Sequence, residues 1–286
     1  MNNLENKKLL DIIRYNKNIR NKLNKDINDY KKEYYKIEIE IEIIPSINKR
    51  VKFINISKKN ESYYHIYFND NNEEIKANKI KNNNEQNKIK IIIDYKIKSL
   101  FQLFKNCKVI KKINFIKFNR EDIKSVSCLF ENCSSLESID ISKLHLQNVI
   151  DMSYMFYGCS SLRQLNINLS NITANNLNNM SFMFCGCKLI EEINLSNFNA
   201  NNLNYMIDMF YGCTSLKKVN LSNFNAINVK NMSNMFYLCD SLKELNLFNF
   251  YANNVEYITK MFYECKSLEE LDFSNIKTNK VKDRYE

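Results

Sequence analysis

The residues of this chain best suited to chemistry are its nine cysteines, seven of which recur at a fixed spacing. Cys107, Cys133, Cys159, Cys187, Cys213, Cys239 and Cys265 are separated by 26, 26, 28, 26, 26 and 26 residues. The lone 28 marks a two-residue insertion near Asn168 and Leu169. Stacked repeats would bring equivalent Cα atoms to about 5 Å, within disulfide range, so a disulfide or redox ladder is one chemistry open to them. Their neighbours favour another reading. An apolar residue and a Phe lie four and three positions before each cysteine, as in Met183-Phe184 and Met235-Phe236. In that company the thiols read as a structural ladder of small buried side chains, kept reduced. Cys185-Gly186-Cys187 lacks the spacing and the partner pairs of a metal site, and Cys185 stands in the register of Tyr157 and Tyr211. Cys128 falls in a variable register shared with Tyr154, Phe182 and Asp208, which predicts an exposed thiol.

Acid–base chemistry is thinly supplied. The two histidines, His65 and His145, have no Ser or Cys nucleophile at a recognisable spacing. No G-x-S-x-G, H-E-x-x-H, Walker or Rossmann string occurs, and three glycines leave little for a phosphate loop. The expectation is a protein that is not an enzyme, with no catalytic residues, no cofactor and no metal. The net charge of +10 is concentrated in the first hundred residues, which hold 22 Lys and Arg against 14 Asp and Glu. Acidic residues are interspersed throughout, so this reads as a mixed solvated surface and not as a nucleic-acid stripe.

The elements that must position these residues follow from the same register. After each cysteine comes an aliphatic residue at three positions, then two more separated by one, as in Leu242-x-x-Leu245-x-Leu247. That alternation is strand spacing. Before each cysteine the apolar residues fall three or four apart, as in Val149, Met152, Met155, Phe156 and Cys159, which is helix spacing. Each unit therefore predicts a short strand, a loop and a short helix. One unit alone cannot bury enough surface to offset its ordering entropy, so the units must stack. The expected fold class is α/β, a leucine-rich-repeat solenoid of about seven strand–helix units over residues 101–286. Ahead of it, residues 1–32 have helical spacing at Leu9, Ile12, Ile13, Ile19 and Leu23. Residues 33–100 predict a small antiparallel β module that caps the solenoid. Its strands are expected at Ile37–Ile43, Val51–Ile56, Tyr63–Phe68 and Ile89–Asp94, with turns at Pro45–Asn48 and a loop at Asn82–Gln86.

The full unit is narrower than a general leucine-rich repeat. Met152-Ser153-Tyr154-Met155-Phe156-Tyr157-Gly158-Cys159-Ser160-Ser161-Leu162 and Asn231-Met232-Ser233-Asn234-Met235-Phe236-Tyr237-Leu238-Cys239-Asp240-Ser241-Leu242 closely resemble the BspA-type leucine-rich-repeat family. The resemblance covers about residues 101–286 and implies surface or adhesion-type relatives, many without an assigned role. The last unit fades, with Val281 in register and Arg284 where Met or Ile is expected, which predicts either a polar cap or a truncated chain.

Strand positions that alternate with the core residues face the open side of such a stack, where repeat proteins bind partners. They include Asn166, Asn194, Asn220, Glu244, Asn246, Phe248 and Asp272. Phe248 breaks a column otherwise held largely by Ser. The expected function is a non-enzymatic protein–protein interaction scaffold that uses this face, with a surface or adhesion-type protein of the BspA-like class as the alternative. A column of asparagines at 171, 197, 223, 249 and 275 predicts buried amides that bridge neighbouring coils. No run approaches the roughly 18 apolar residues of a membrane span. The start, Met1-Asn2-Asn3-Leu4-Glu5-Asn6-Lys7-Lys8, has no apolar stretch behind it. The expected location is cytoplasmic, with the cell surface as the alternative.

Overall fold

The structure, a computed structural model, describes residues 39–46, 51–71, 73–80, 88–94, 97–166, 174–269, 271, 276 and 279–282. The helical segment expected over 1–32, the turn at 47–48, the loop at 82–86, Asp272, Asn171 and Asn275 lie outside these residues.

Strict alternation of Ile with Glu sets β1 (Ile39–Pro45), whose isoleucines at 39, 41 and 43 are buried. A 3-10 helix (Lys58–Tyr63) leads into β2 (Tyr64–Phe68), and β3 is Ile89–Ile93. Within the expected strand Val51–Ile56, only Lys52 pairs, in a single bridge to Lys79. Pro45, expected in a turn, ends β1 opposite Ile110 after a register shift, a place where the missing N–H costs nothing. β4 (Ile110–Phe118) belongs to the first repeat and pairs antiparallel with β1, which pairs antiparallel with β3 on its other edge. Each later repeat contributes three strand residues: β5 (Ser138–Asp140), β6 (Gln164–Asn166), β7 (Glu192–Asn194), β8 (Lys218–Asn220) and β9 (Glu244–Asn246). β4, β5 and β6 pair in parallel, as do β7, β8 and β9. The sheet orders are β2-β3-β1-β4-β5-β6 and β7-β8-β9.

The strand–helix reading is corrected here. No α-helix occurs among the described residues, and the segments with helix-like spacing are runs of six turn residues, such as 153–158 and 207–212. Their second and sixth residues have left-handed backbones, as at Gln102 and Asn106, Cys128 and Asn132, or Tyr154 and Gly158. A left-handed residue every fourth position stops an i→i−4 chain of hydrogen bonds. Alternate N–H groups close four-residue turns instead, as Cys133 N–H donates to Phe130 C=O. The others cross to the next coil: Cys128, Phe130 and Asn132 N–H donate to Ser153, Met155 and Tyr157 C=O. Every coil step from Phe104 to Phe236 has such a bond, from Phe to the Met or Leu of the next coil. The protein is a stack of all-β coils, not an α/β solenoid.

The three glycines of the whole chain, Gly158, Gly186 and Gly212, all hold the sixth position of a turn run, with φ of 68°, 74° and 68°. A side chain is strained there, and the other coils use Asn106, Asn132, Leu238 and Glu264. Within each turn run, one Phe per coil forms a continuous stacked column: Phe104, Phe130, Phe156, Phe184, Phe210, Phe236 and Phe262, with ring centroids 5.2–5.6 Å apart. The first six are fully buried.

Arg120, just after β4, is also buried. Its Nε donates to Asp122 Oδ1 at 2.7 Å, Nη1 to Asp94 C=O at 3.2 Å and Nη2 to Ile97 C=O at 2.5 Å. One guanidinium thus ties the chain after β3 to the exit of β4.

Candidate interaction surface

Parallel pairing in register places the open-face residues in rows. Asn194, Glu244, Asn246 and Phe248 are exposed and Asn220 is half-buried. For Asn166 only the backbone is described, paired with Asp140. The buried column between them runs through Ile139, Ile193 and Val219, with Leu165 and Leu245 half-buried. The asparagines are less free than their exposure suggests. Asn194, Asn220 and Asn246 each turn Oδ1 back to accept the N–H two residues on, from Ser196, Ser222 and Phe248, at 3.0, 3.0 and 2.9 Å. These side chains close the turn that ends each strand, and only their Nδ2 groups are left to face solvent. Glu244 is held by Lys218 at 2.6 Å, a bridge that raises the lysine pKa through its hydrogen bond. The row is therefore knitted by local bonds, and Phe248 stands out of it with 66% of its surface exposed. Tyr251, three residues on, is 49% exposed.

The cysteine ladder lies on the opposite, turn side. Cys107 to Cys239 are fully buried and Cys265 is half-buried, all as free thiols. From Cys133 onward each Sγ donates to the Phe carbonyl of the preceding coil, at 3.0–3.2 Å. These six thiols point along the stack in the same sense, toward backbone and not toward one another, while Cys107 Sγ is directed to Lys105 C=O of its own coil at 3.8 Å. Burial pushes Cys107 up to about 12, and Cys159, Cys187 and Cys213 well above the ordinary thiol range. Cys265 rises to about 11, also through burial. Cys128, expected at the surface, is buried, with Sγ 3.6 Å from Ser127 Oγ.

Burial also raises Cys128 to about 11, and thiolate is the reactive form, so alkylation of the folded chain at pH 8 should begin at Cys265 and Cys128 and leave Cys133, Cys159, Cys187 and Cys213 unmodified until denaturant is added. Peptide mapping after a timed iodoacetamide pulse checks the order. Early labelling of Cys187, or linked pairs without reductant, would show the ladder arranged otherwise.

The asparagine column at 197, 223 and 249 also differs from expectation. These residues are exposed or half-buried and left-handed. Their amides bond to one another, Asn223 Nδ2 to Asn197 Oδ1 at 3.0 Å and Asn249 Nδ2 to Asn223 Oδ1 at 2.9 Å. Asparagine tolerates the left-handed region, and its surface position follows from that turn. Backbone bridging between coils falls to another column. Asn148, Asn202, Asn228 and Asn254 donate Nδ2 to the carbonyls of Glu121, Asn175, Asn201 and Ile227 at 2.6–2.9 Å. A second feature missed from sequence is the half-exposed stack Tyr211, Tyr237 and Tyr263, with centroids 4.9 Å apart. Its register was visible, but side-chain stacking along the coil axis was not.

No group of three His, Cys, Asp or Glu side chains able to hold a metal occurs among the described residues. No helix among them is long and apolar enough to cross a membrane. His65 pairs with Glu74 at 3.1 Å and has no nucleophile beside it among the described contacts.

Stacked coils with one repeated core pattern, one strand row and one turn row define an all-β repeat protein. Residues 67–192, 98–218 and 178–286 match the family described as Mycoplasma protein of unknown function, DUF285. Together these segments span most of the chain, and the chain belongs to that family. No curated protein and no solved structure matches it.

Proposed function

We propose that this chain is a non-enzymatic protein–protein interaction scaffold built on BspA-type repeats in an all-β form, with the open strand row around β9 as its contact surface. The observation that carries this reading is Phe248. Its equivalents Ser196 and Ser222 leave a polar row, whereas Phe248 presents the most exposed of the large apolar side chains described. A core role does not account for it, and exposed aromatics are frequent anchors of interfaces. Glu244 and Asn246, already held in place by Lys218 and by the Phe248 N–H, give the anchor a rigid polar rim.

The test is affinity capture from native lysate with the parent chain and with Phe248→Ser, followed by affinity measurement on any captured partner. The substitution should weaken binding by at least about 1 kcal/mol, roughly fivefold, and leave the melting temperature within about 2 °C. Equal capture and equal affinity would move the contact surface away from β9.

A further inference from the structure

β6 and β7 face each other across a step at which the strand row does not pair. β5 pairs with β6, β7 with β8 and β8 with β9, but β6 ends one sheet and β7 begins the other. The break falls where the repeat spacing is 28 residues instead of 26. The turn side of the same step is closed: Phe156 N–H donates to Met183 C=O at 2.8 Å, and the Phe156 and Phe184 rings stack at 5.5 Å. The two coils are thus joined on one side and parted on the other. Between them lies an open groove of about 680 Å³, lined by Arg163, Gln164, Leu165 and Glu191 to Asn194, with Leu189 at its side.

The backbone groups in this groove are those that neighbouring steps use for pairing. At the β8–β9 step, Lys243 and Glu244 N–H donate to Lys217 C=O, and Leu221 N–H donates to Asn246 C=O. At the β5–β6 step, Arg163 and Gln164 N–H donate to Glu137 C=O. The equivalent groups at the parted step are Arg163 C=O on one wall and Glu191 and Glu192 N–H on the other, and no hydrogen bond joins them. The core column shows the same gap. Leu165 is half-buried where Ile139, Ile193 and Val219 are buried.

We propose that this groove receives one extended peptide strand, lying parallel to β6 and β7 and pairing with both. Two facing strand edges satisfy a strand and nothing else so well, because a helix has already bonded its own N–H and C=O groups. The alternation of the row sets the side chains. The central residue of the guest strand points inward between Leu165 and Ile193 and is aliphatic. Its two neighbours point to the open side, beside Gln164, Glu192 and Asn194, and are polar. The partner is therefore a protein segment of the pattern polar–aliphatic–polar in an extended form. This groove is separate from Phe248, so the two proposals stand or fall independently.

The probe is the capped hexapeptide Leu-Lys-Glu-Leu-Asn-Leu, the sequence of residues 242–247, which already forms such a strand in this chain. It is titrated into the ¹⁵N-labelled full chain. The amide signals of Leu165, Glu192 and Asn194 should shift together and saturably, and their hydrogen exchange should slow at least about tenfold. N-methylation of the peptide's central Leu removes the N–H that would reach Glu192 C=O and should weaken binding at least about tenfold. Deleting Asn168 and Leu169 restores the 26-residue spacing. That chain should let β6 pair with β7, keep or raise its melting temperature, and lose the peptide. An unshifted Leu165, Glu192 and Asn194, equal binding of the N-methylated peptide, or undiminished binding by a folded deletion chain would each overturn the proposal.

Discussion

Phe184→Ala is expected to destabilise this protein by about 3–5 kcal/mol, the range for truncating a fully buried Phe. Phe184 is fully buried and stacks between Phe156 and Phe210 at 5.5 and 5.6 Å. Its position makes the loss architectural as well as local. At the step between the third and fourth coils the strand rows do not pair, so the turn side carries the joint. Removing the ring takes away stacking on both sides of that joint and leaves a cavity too narrow for its neighbours to fill. Stability in stacked repeats is a sum of unit and neighbour terms, so a weakened joint uncouples the two halves. Urea unfolding should change from one transition to two, with the half that contains β7 to β9 released from the half that contains β1 to β6. Phe248→Ala is the matched control, because an exposed side chain usually contributes within about 0.5 kcal/mol. Equal midpoint shifts for the two variants would show that the Phe column does not hold the stack together.

Arg120→Met should cost about 1–3 kcal/mol. The substitution keeps most of the apolar stem and removes the guanidinium. The Ile97 carbonyl then loses its donor, and a buried acceptor left unpaired costs about 1–3 kcal/mol, whereas the Asp94 carbonyl keeps the Ile97 N–H at 3.2 Å. Asp122 is partly exposed and keeps Lys98 as partner, so its own loss is small. The pH dependence gives a second readout. Burial raises the Asp122 pKa, but the hydrogen bonds from Arg120 and Lys98 outweigh it, and the carboxyl lies below its ordinary value. A carboxyl depressed in the folded state adds stability above its unfolded pKa of about 3.9 and loses that stability as pH falls through the folded value. Parent and variant should therefore differ more at pH 6 than at pH 3 in thermal melts. A difference that stays constant across that range would place the effect in packing alone.

The residues themselves determined which side chains form the core of this protein. The spacing of Phe184, Cys187, Ile190 and Ile193 placed all four inside, and the structure buries all four. The two-residue insertion near Asn168 was equally legible, and it marks the coil step at which the strand row parts. The conformation of the segment between was not legible from apolar spacing. Residues three and four apart share one face of a helix, and they share one face of a run of four-residue turns just as well. A signal for the second reading was present in the glycines at 158, 186 and 212 and the asparagines at 106 and 132, which together mark a left-handed position.

The tertiary structure made the choice between these forms. In an isolated segment the N–H groups of Cys128, Phe130 and Asn132 would find partners only within the helix. In the stack they meet the carbonyls of Ser153, Met155 and Tyr157 in the next coil. Those acceptors lie about one repeat away in sequence and exist at that position only when the coils are assembled. Side-chain burial follows from local order in the chain, so the sequence states it. The backbone's partners come from a neighbouring coil, so only the assembled fold could decide between helix and turn.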